Sequence, residues 1–168
     1  MGRLAVIDLV SSNLFPFQEE NFVLSFNGEI FNYVELREEL KKRGYAFRTN
    51  SDTEVLLKCW KEWGKDCLQK LNGMFAFALY DGSAITLARD IAGEKPLYFR
   101  RKNFAFASEA KALRWDCEEF PPAHFATYHI DTDTFTLKRY WTPLRMELPS
   151  NDDDVQQELE KLLENAIR

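Results

Sequence analysis

The sequence predicts an α+β fold with mostly antiparallel sheets, and three observations carry that prediction. Short runs rich in β-branched and aromatic residues recur along the chain, as half-buried strands require. Several are joined by tight turn sequences, Asp81-Gly82-Ser83 and Asp131-Thr132-Asp133 among them, of the kind that close hairpins. Amphipathic stretches with clear starts and stops supply the helices. A chain of 168 residues with 45% hydrophobic and 14% aromatic content has ample material for one core.

The strand-like runs cover residues 4–10, 22–26, 74–80, 84–89, 97–101, 103–107, 125–130 and 135–140. The first helix is expected over 33–43, with Leu36 and Leu40 on its apolar face, Glu38 and Lys42 paired on the other, and Gly44 as its stop. A second begins at Ser51-Asp52-Thr53-Glu54, which reads as a capping box in which Ser51 and Glu54 bond reciprocal backbone N–H groups. Leu56, Cys59, Trp60 and Trp63 form its apolar stripe, and Gly64 ends it. A short helix is expected over 65–71. Pro121-Pro122 and residues 142–154 read as connections. The last helix, 155–168, carries Val155, Leu159, Leu162, Leu163 and Ala166 on one face and has no C-cap, the pattern of an element that continues.

Charge and cysteine usage narrow the function. The 22 basic and 27 acidic residues are interspersed and leave a net charge of −5, so no basic face is offered to nucleic acid or to an anionic membrane. The apolar run LAVI, closed by Asp8, is too short for a signal sequence, and no stretch approaches a membrane span. Cys59, Cys67 and Cys117 lack C-x-x-C spacing, and His124 and His129 lie far from the first two, so no metal site is expected. An odd, sparse cysteine count suits a reducing, cytoplasmic setting.

Chemistry is suggested at FNGEIFNYVELREEL, residues 26–40, where a strand-like run meets Asn27-Gly28-Glu29 and a helix pattern follows almost at once. Glycine lets a ligand approach the main chain, and an Asn amide beside an exposed Gly N–H gives two donors of the kind a developing oxyanion needs. Asn-Gly is equally a common turn dipeptide, and the local sequence leaves both readings open.

The segments NGEIFNYVELREEL, GYAFRTNSDTEVLL, WKEWGKDCLQKLNGMFAFALYD, LARDIAGEKPLYF, FASEAKALRW, FPPAHF and RYWTP together resemble, in order and spacing, the glutaminase domain of glutamine-hydrolysing asparagine synthase. The resemblance implies an N-terminal nucleophile hydrolase fold, an αββα four-layer sandwich with two mostly antiparallel sheets. It implies a class II glutamine amidotransferase, in which an N-terminal cysteine attacks the glutamine amide, forms a thioester and releases ammonia. Ammonia then passes to an ATP-pyrophosphatase synthetase domain of the same parent chain, which activates aspartate to make asparagine. ATP and Mg²⁺ belong to that domain; the resemblance implies no cofactor for this chain, and it admits a homodimer. Carried over residue by residue, it gives Asn27 and Gly28 the side-chain and backbone donors of the oxyanion hole. Asp52 would hold the α-ammonium of glutamine, Arg3 its carboxylate, and Glu29 would contribute through its backbone carbonyl.

The resemblance places residues 1–145 in a glutaminase domain lacking its first strand and nucleophile, which leaves this chain inactive alone. Residues 146–168 would be a linker and the start of the first synthetase helix. Between Leu9 and Phe22 the chain reads VSSNLFPFQEEN where the family has a glycine and a Gln-Pro pair, which bears on the carboxylate end of the site. Two alternatives stand beside this reading: an amidotransferase for another acceptor, such as a sugar, a peptide or an antibiotic precursor, or a non-catalytic interaction module that keeps the fold. Arg89-Asp90 reads locally as a surface ion pair, Lys95-Pro96 as a turn and Cys59 as a packed core thiol. Both histidines read as structural.

Overall fold

The alternating run GMFAFALY explains how the layers assemble, because a period of two sends Phe75, Phe77 and Leu79 to one side of a strand and Ala76 and Ala78 to the other. The computed structural model describes residues 16–143 and 152–167. Arg3, the expected strand 4–10 and residues 10–15 of the altered loop lie outside the described residues. In chain order the elements are β1 (Phe17–Glu19), β2 (Phe22–Ile30), α1 (Tyr33–Lys42), α2 (Asp52–Trp63), a 3-10 helix (Gly64–Gln69), β3 (Gly73–Tyr80) and β4 (Ala84–Arg89). Then come β5 (Tyr98–Arg100), β6 (Ala105–Ala107), a 3-10 helix (Ala110–Leu113), β7 (Glu118–Glu119), β8 (His124–His129), β9 (Thr134–Arg139) and α3 (Asp152–Ile167).

The strands form a six-stranded sheet ordered β1-β2-β3-β4-β8-β9 and a three-stranded sheet ordered β6-β5-β7, antiparallel throughout. Both expected hairpin corners are present. Asp81 closes the first by accepting from the backbone N–H groups of Ser83 and Ala84, and Tyr128 donates to Asp133 across the second. On one face of the large sheet, Phe75, Phe77 and Leu79 pack with Leu24, Phe26 and Ile30 against Leu36 and Leu40 of α1 and Leu56, Cys59 and Trp60 of α2. On the other face Ala76, Ala78, Leu87 and Ala126 meet Leu97, Phe99 and Phe120 of the smaller sheet and its connections. Each fully buried Phe or Leu contributes about 1.5–3 kcal/mol. Beside the smaller sheet the described residues hold only the short 3-10 helix, so three of the four expected layers are well formed here.

Several boundaries differ from expectation. β2 runs to Ile30 and so contains Asn27-Gly28-Glu29. The helix expected over 65–71 is the tighter 3-10 turn, and the short strands β1 and β7 carried no alternation long enough to read. Half of the capping box holds: Ser51 Oγ accepts from Thr53 N–H at 3.1 Å. Glu54 instead turns to the preceding loop and accepts from the N–H groups of Arg48 and Thr49 and from the Thr49 hydroxyl. Cys59 is buried as expected, and burial pushes its thiol up to about 12.

An ion network ties the β1–β2 hairpin to α2. Lys58 Nζ lies 3.0 Å from both carboxylate oxygens of Glu19, and Lys61 Nζ lies 3.0 Å from Glu19 and from Glu20. Burial alone would raise the Glu19 carboxyl; hydrogen bonds and charge from Lys58 and Lys61 outweigh it and hold the group below its ordinary range. The stability this confers is present above the unfolded value of about 4.3 and is lost as pH falls through the lower folded value. Glu19→Gln is therefore expected to flatten the acid limb of the stability profile. An unchanged slope of denaturant stability against pH below about 4.3 would refute the network's role.

Candidate functional site

Asn27, Gly28 and Glu29 do not form a turn. They are ladder residues of β2, opposite Ala76, Phe75 and Met74 of β3. Gly28 has φ +148°, and a Cβ placed there would stand 2.1 Å from Met74 O and 2.7 Å from Phe75 Cα. Only glycine fits, because both the backbone angle and the approach of β3 exclude a side chain. The corner comes later, at Phe31-Asn32. Phe31 N–H donates to Asn72 O, while Asn32 donates to Lys70 O through Nδ2 and accepts from Asn72 N–H through Oδ1.

The direction of the Gly28 N–H follows from its neighbour. Phe75 N–H donates to Asp90 Oδ2 at 3.1 Å, and Phe75 O accepts from Asp90 N–H at 2.8 Å. The main-chain groups of Phe75 thus face away from β2, and Gly28–Phe75 is one of the pairs that exchange no ladder bonds. The Gly28 N–H consequently points to the outer side of β2. There β1 pairs only with Phe22–Leu24, and no described strand lies along Gly28. The Asn27 side chain occupies the inter-sheet face, where it borders an open cleft of about 150 Å³ with Ser25, Ala78, Phe106 and Ser108. The alanines at positions 76 and 78 leave that depth. Adjacent residues of one strand thus place a side-chain donor on the face that borders the cleft and a main-chain donor on the flank.

Two carboxylates stand at the end of this strand. Asp52, 5% exposed in the first turn of α2, accepts from Ile30 N–H at 3.1 Å. Burial pushes the Asp52 carboxyl above its ordinary range; the N–H groups of Ile30 and Thr53 oppose this, and the negative charge of Glu29 adds to it. Asp52 and Glu29 are therefore close enough to feel each other, a locus suited to a cation. The Glu29 carbonyl is turned onto Gly73 of β3.

Arg89 and Asp90 correct the local reading most. They are 5% and 1% exposed and do not pair with each other. Arg89 donates to the carbonyls of Gly93, Lys95 and Phe120 and to Glu119, and Asp90 accepts from the N–H groups of Phe75, Ala92, Glu94 and Lys95. The sequence clue is the glycine that follows: Gly93 has φ +71°, which lets the loop curl back over the carboxylate. Cys67 is buried and its thiol raised by desolvation, and His124 is occupied with Pro122 O. Among the described residues no group of three or more His, Cys, Asp or Glu could hold a metal ion, and no helix is long and apolar enough to cross a membrane.

Comparison with known proteins shows the family. The family described as "Glutamine amidotransferase domain" matches residues 1–124. Asparagine synthetase [glutamine-hydrolyzing] 1 of Bacillus subtilis is 45% identical over 116 residues, covering 66% of this chain and 18% of that protein. Asparagine synthetase [glutamine-hydrolyzing] 3 of the same organism is 31% identical over 203 residues, covering 98% of this chain and 33% of that protein. The probable asparagine synthetase of Schizosaccharomyces pombe is 37% identical over 181 residues, covering 99% and 31%. The chain thus spans about a fifth to a third of these relatives. Among solved structures, the glutamine phosphoribosylpyrophosphate amidotransferase from B. subtilis superposes with a TM-score of 0.66 at 25% identity, covering 76% of this chain and 31% of that one. That likeness extends to the paired antiparallel sheets of the N-terminal nucleophile fold, and with the match across residues 1–124 it identifies this chain as a member of the glutamine amidotransferase domain family, of class II.

Proposed function

We propose that this chain is the glutamine-hydrolysing part of an asparagine synthase, releasing ammonia for an ATP-activated aspartate in a synthetase domain of the same longer polypeptide. The observation that carries the reading is the Asn27-Gly28 pair: an amide on the cleft face beside the main-chain N–H of a glycine whose opposite residue, Phe75, gives both its main-chain groups to Asp90. The carbonyl oxygen of the glutamine amide becomes an oxyanion when a nucleophile attacks, and these two donors stabilise that charge more than they stabilise the neutral amide. Glu29 and Asp52 supply the negative end that receives the α-ammonium, Glu29 through its charge, since its carbonyl faces β3. Arg3 takes the α-carboxylate in this reading. The attacking group is an N-terminal cysteine preceding Arg3, the synthetase domain follows α3, and the protein works in the cytoplasm as a homodimer.

The test is glutaminase kinetics on the full-length protein. Asn27→Ala is expected to lower kcat by about 10²–10³ with a much smaller change in KM, because the donor acts chiefly on the developing oxyanion. Unaltered release of glutamate from glutamine would remove the oxyanion assignment.

A further inference from the structure

We infer that Asp90 is a positioning residue for glutamine hydrolysis: its buried carboxylate fixes the β3 backbone at Phe75 and so aims the Gly28 N–H. The inference rests on the oxyanion reading above and adds a residue that touches no substrate.

The route is short, and every link ends on the main chain of β2 or β3. Asp90 Oδ2 holds Phe75 N–H at 3.1 Å, and Asp90 N–H holds Phe75 O at 2.8 Å, so one residue takes both polar groups of Phe75. Phe75 stands opposite Gly28 in the β2–β3 register. Its Cα and the Met74 carbonyl also pack directly against the Gly28 Cα, leaving no room for a Cβ. A rotation of the 75–76 peptide toward β2 would offer the Phe75 carbonyl to the Gly28 N–H and turn the donor inward as an ordinary ladder bond. With both Phe75 groups committed to Asp90, that alternative is closed.

The remaining contacts make the device stiff. Asp90 Oδ1 accepts from Ala92 and Glu94 N–H at 3.0 Å each, and Oδ2 also accepts from Lys95 N–H at 3.1 Å. A carboxylate is the one side chain of this size that accepts at both oxygens. Asparagine, equal in shape, presents a donor to one pair of these N–H groups. Arg89 anchors the same loop at Gly93 and Lys95 without touching β3 beyond its ladder place opposite Ala76. It therefore separates holding the loop from holding Phe75.

The experiment compares Asp90→Asn, Arg89→Gln and Asn27→Ala in the full-length protein by glutamine kinetics and thermal melting. Asp90→Asn is expected to lower kcat about 10- to 100-fold with KM changed less than about twofold, since a small misplacement of a catalytic donor costs rate rather than affinity. Arg89→Gln is expected to lower the melting temperature but keep kcat within about twofold. Equal loss of kcat in both variants, or unchanged kcat in Asp90→Asn while Asn27→Ala is impaired, would overturn the inference and leave the oxyanion reading intact. Unchanged kcat in Asn27→Ala would overturn both. Should Asp90→Asn not fold, hydrogen exchange of the unsubstituted protein decides. The Phe75, Ala92 and Glu94 amides are expected to exchange as one slow set, and a Phe75 amide that opens independently of the other two would overturn the inference.

Discussion

Gly28→Ala is expected to destabilise the fold by roughly 2–6 kcal/mol, the sum of backbone strain and overpacking, and to abolish glutamine turnover in whatever protein still folds. The two costs are separable in origin. At φ +148° an L-residue is strained whatever surrounds it, and the added methyl must also displace the Met74 carbonyl from 2.1 Å. Neither obstacle is the mobile end of a side chain; both are main chain in the middle of the longest strand pairing, so relief requires moving β3. A strand shift there also unseats Phe75 from Asp90. Circular dichroism melts together with glutamate release give the answer. A Gly28→Ala protein with a wild-type melting temperature would show that β3 yields cheaply and that the glycine serves only the ligand.

Glu54→Ala is expected to cost about 3–5 kcal/mol, the range for removing one partner from a buried charged contact. Glu54 is fully buried, accepts from Arg48 N–H, Thr49 N–H and the Thr49 hydroxyl, and lies 3.7 Å from Lys58 Nζ. Without it, the loop entering α2 loses the acceptor that sets its course, and Asp52 moves with that loop. Glu54→Gln keeps the volume but puts a donor among donors, so about 1–3 kcal/mol is expected. Urea midpoints at equal m-value measure both. A loss under about 1 kcal/mol for the alanine variant would mean that water replaces the carboxylate and that the site's entry loop is held elsewhere.

How far the sequence anticipated this molecule depends on how local each cause is. The alternation of GMFAFALY, the Asp81 and Asp131-Asp133 corners, and the Leu56-Cys59-Trp60 stripe were legible because period and turn chemistry act within a few residues. Asn27-Gly28 misled at that range: the dipeptide favours turns, and only the backbone of β3, far along the chain, explains why a glycine sits inside a strand. Glu54 fitted a capping box, yet the loop before α2 offered three donors and won. Asp90 looked like half of a surface pair because its partner Phe75 lies 15 residues back and only folding brings them together. Asn27, Gly28 and Asp52 as a set came from the family resemblance, which spacing alone would not have supplied.

A strand flank with free polar groups ordinarily invites another chain to add itself, the first step toward aggregation. Two features work against this on the outer flank of β2 past Leu24. An incoming strand needs donors and acceptors at regular spacing. Here the Ile30 N–H is already taken by Asp52, and the turned backbone at Gly28 breaks the extended repeat. An incoming strand would therefore find the ladder interrupted at both Gly28 and Ile30. In the proposed reading the Gly28 N–H can thus serve one oxygen of a small molecule on a flank that offers a second polypeptide an interrupted ladder.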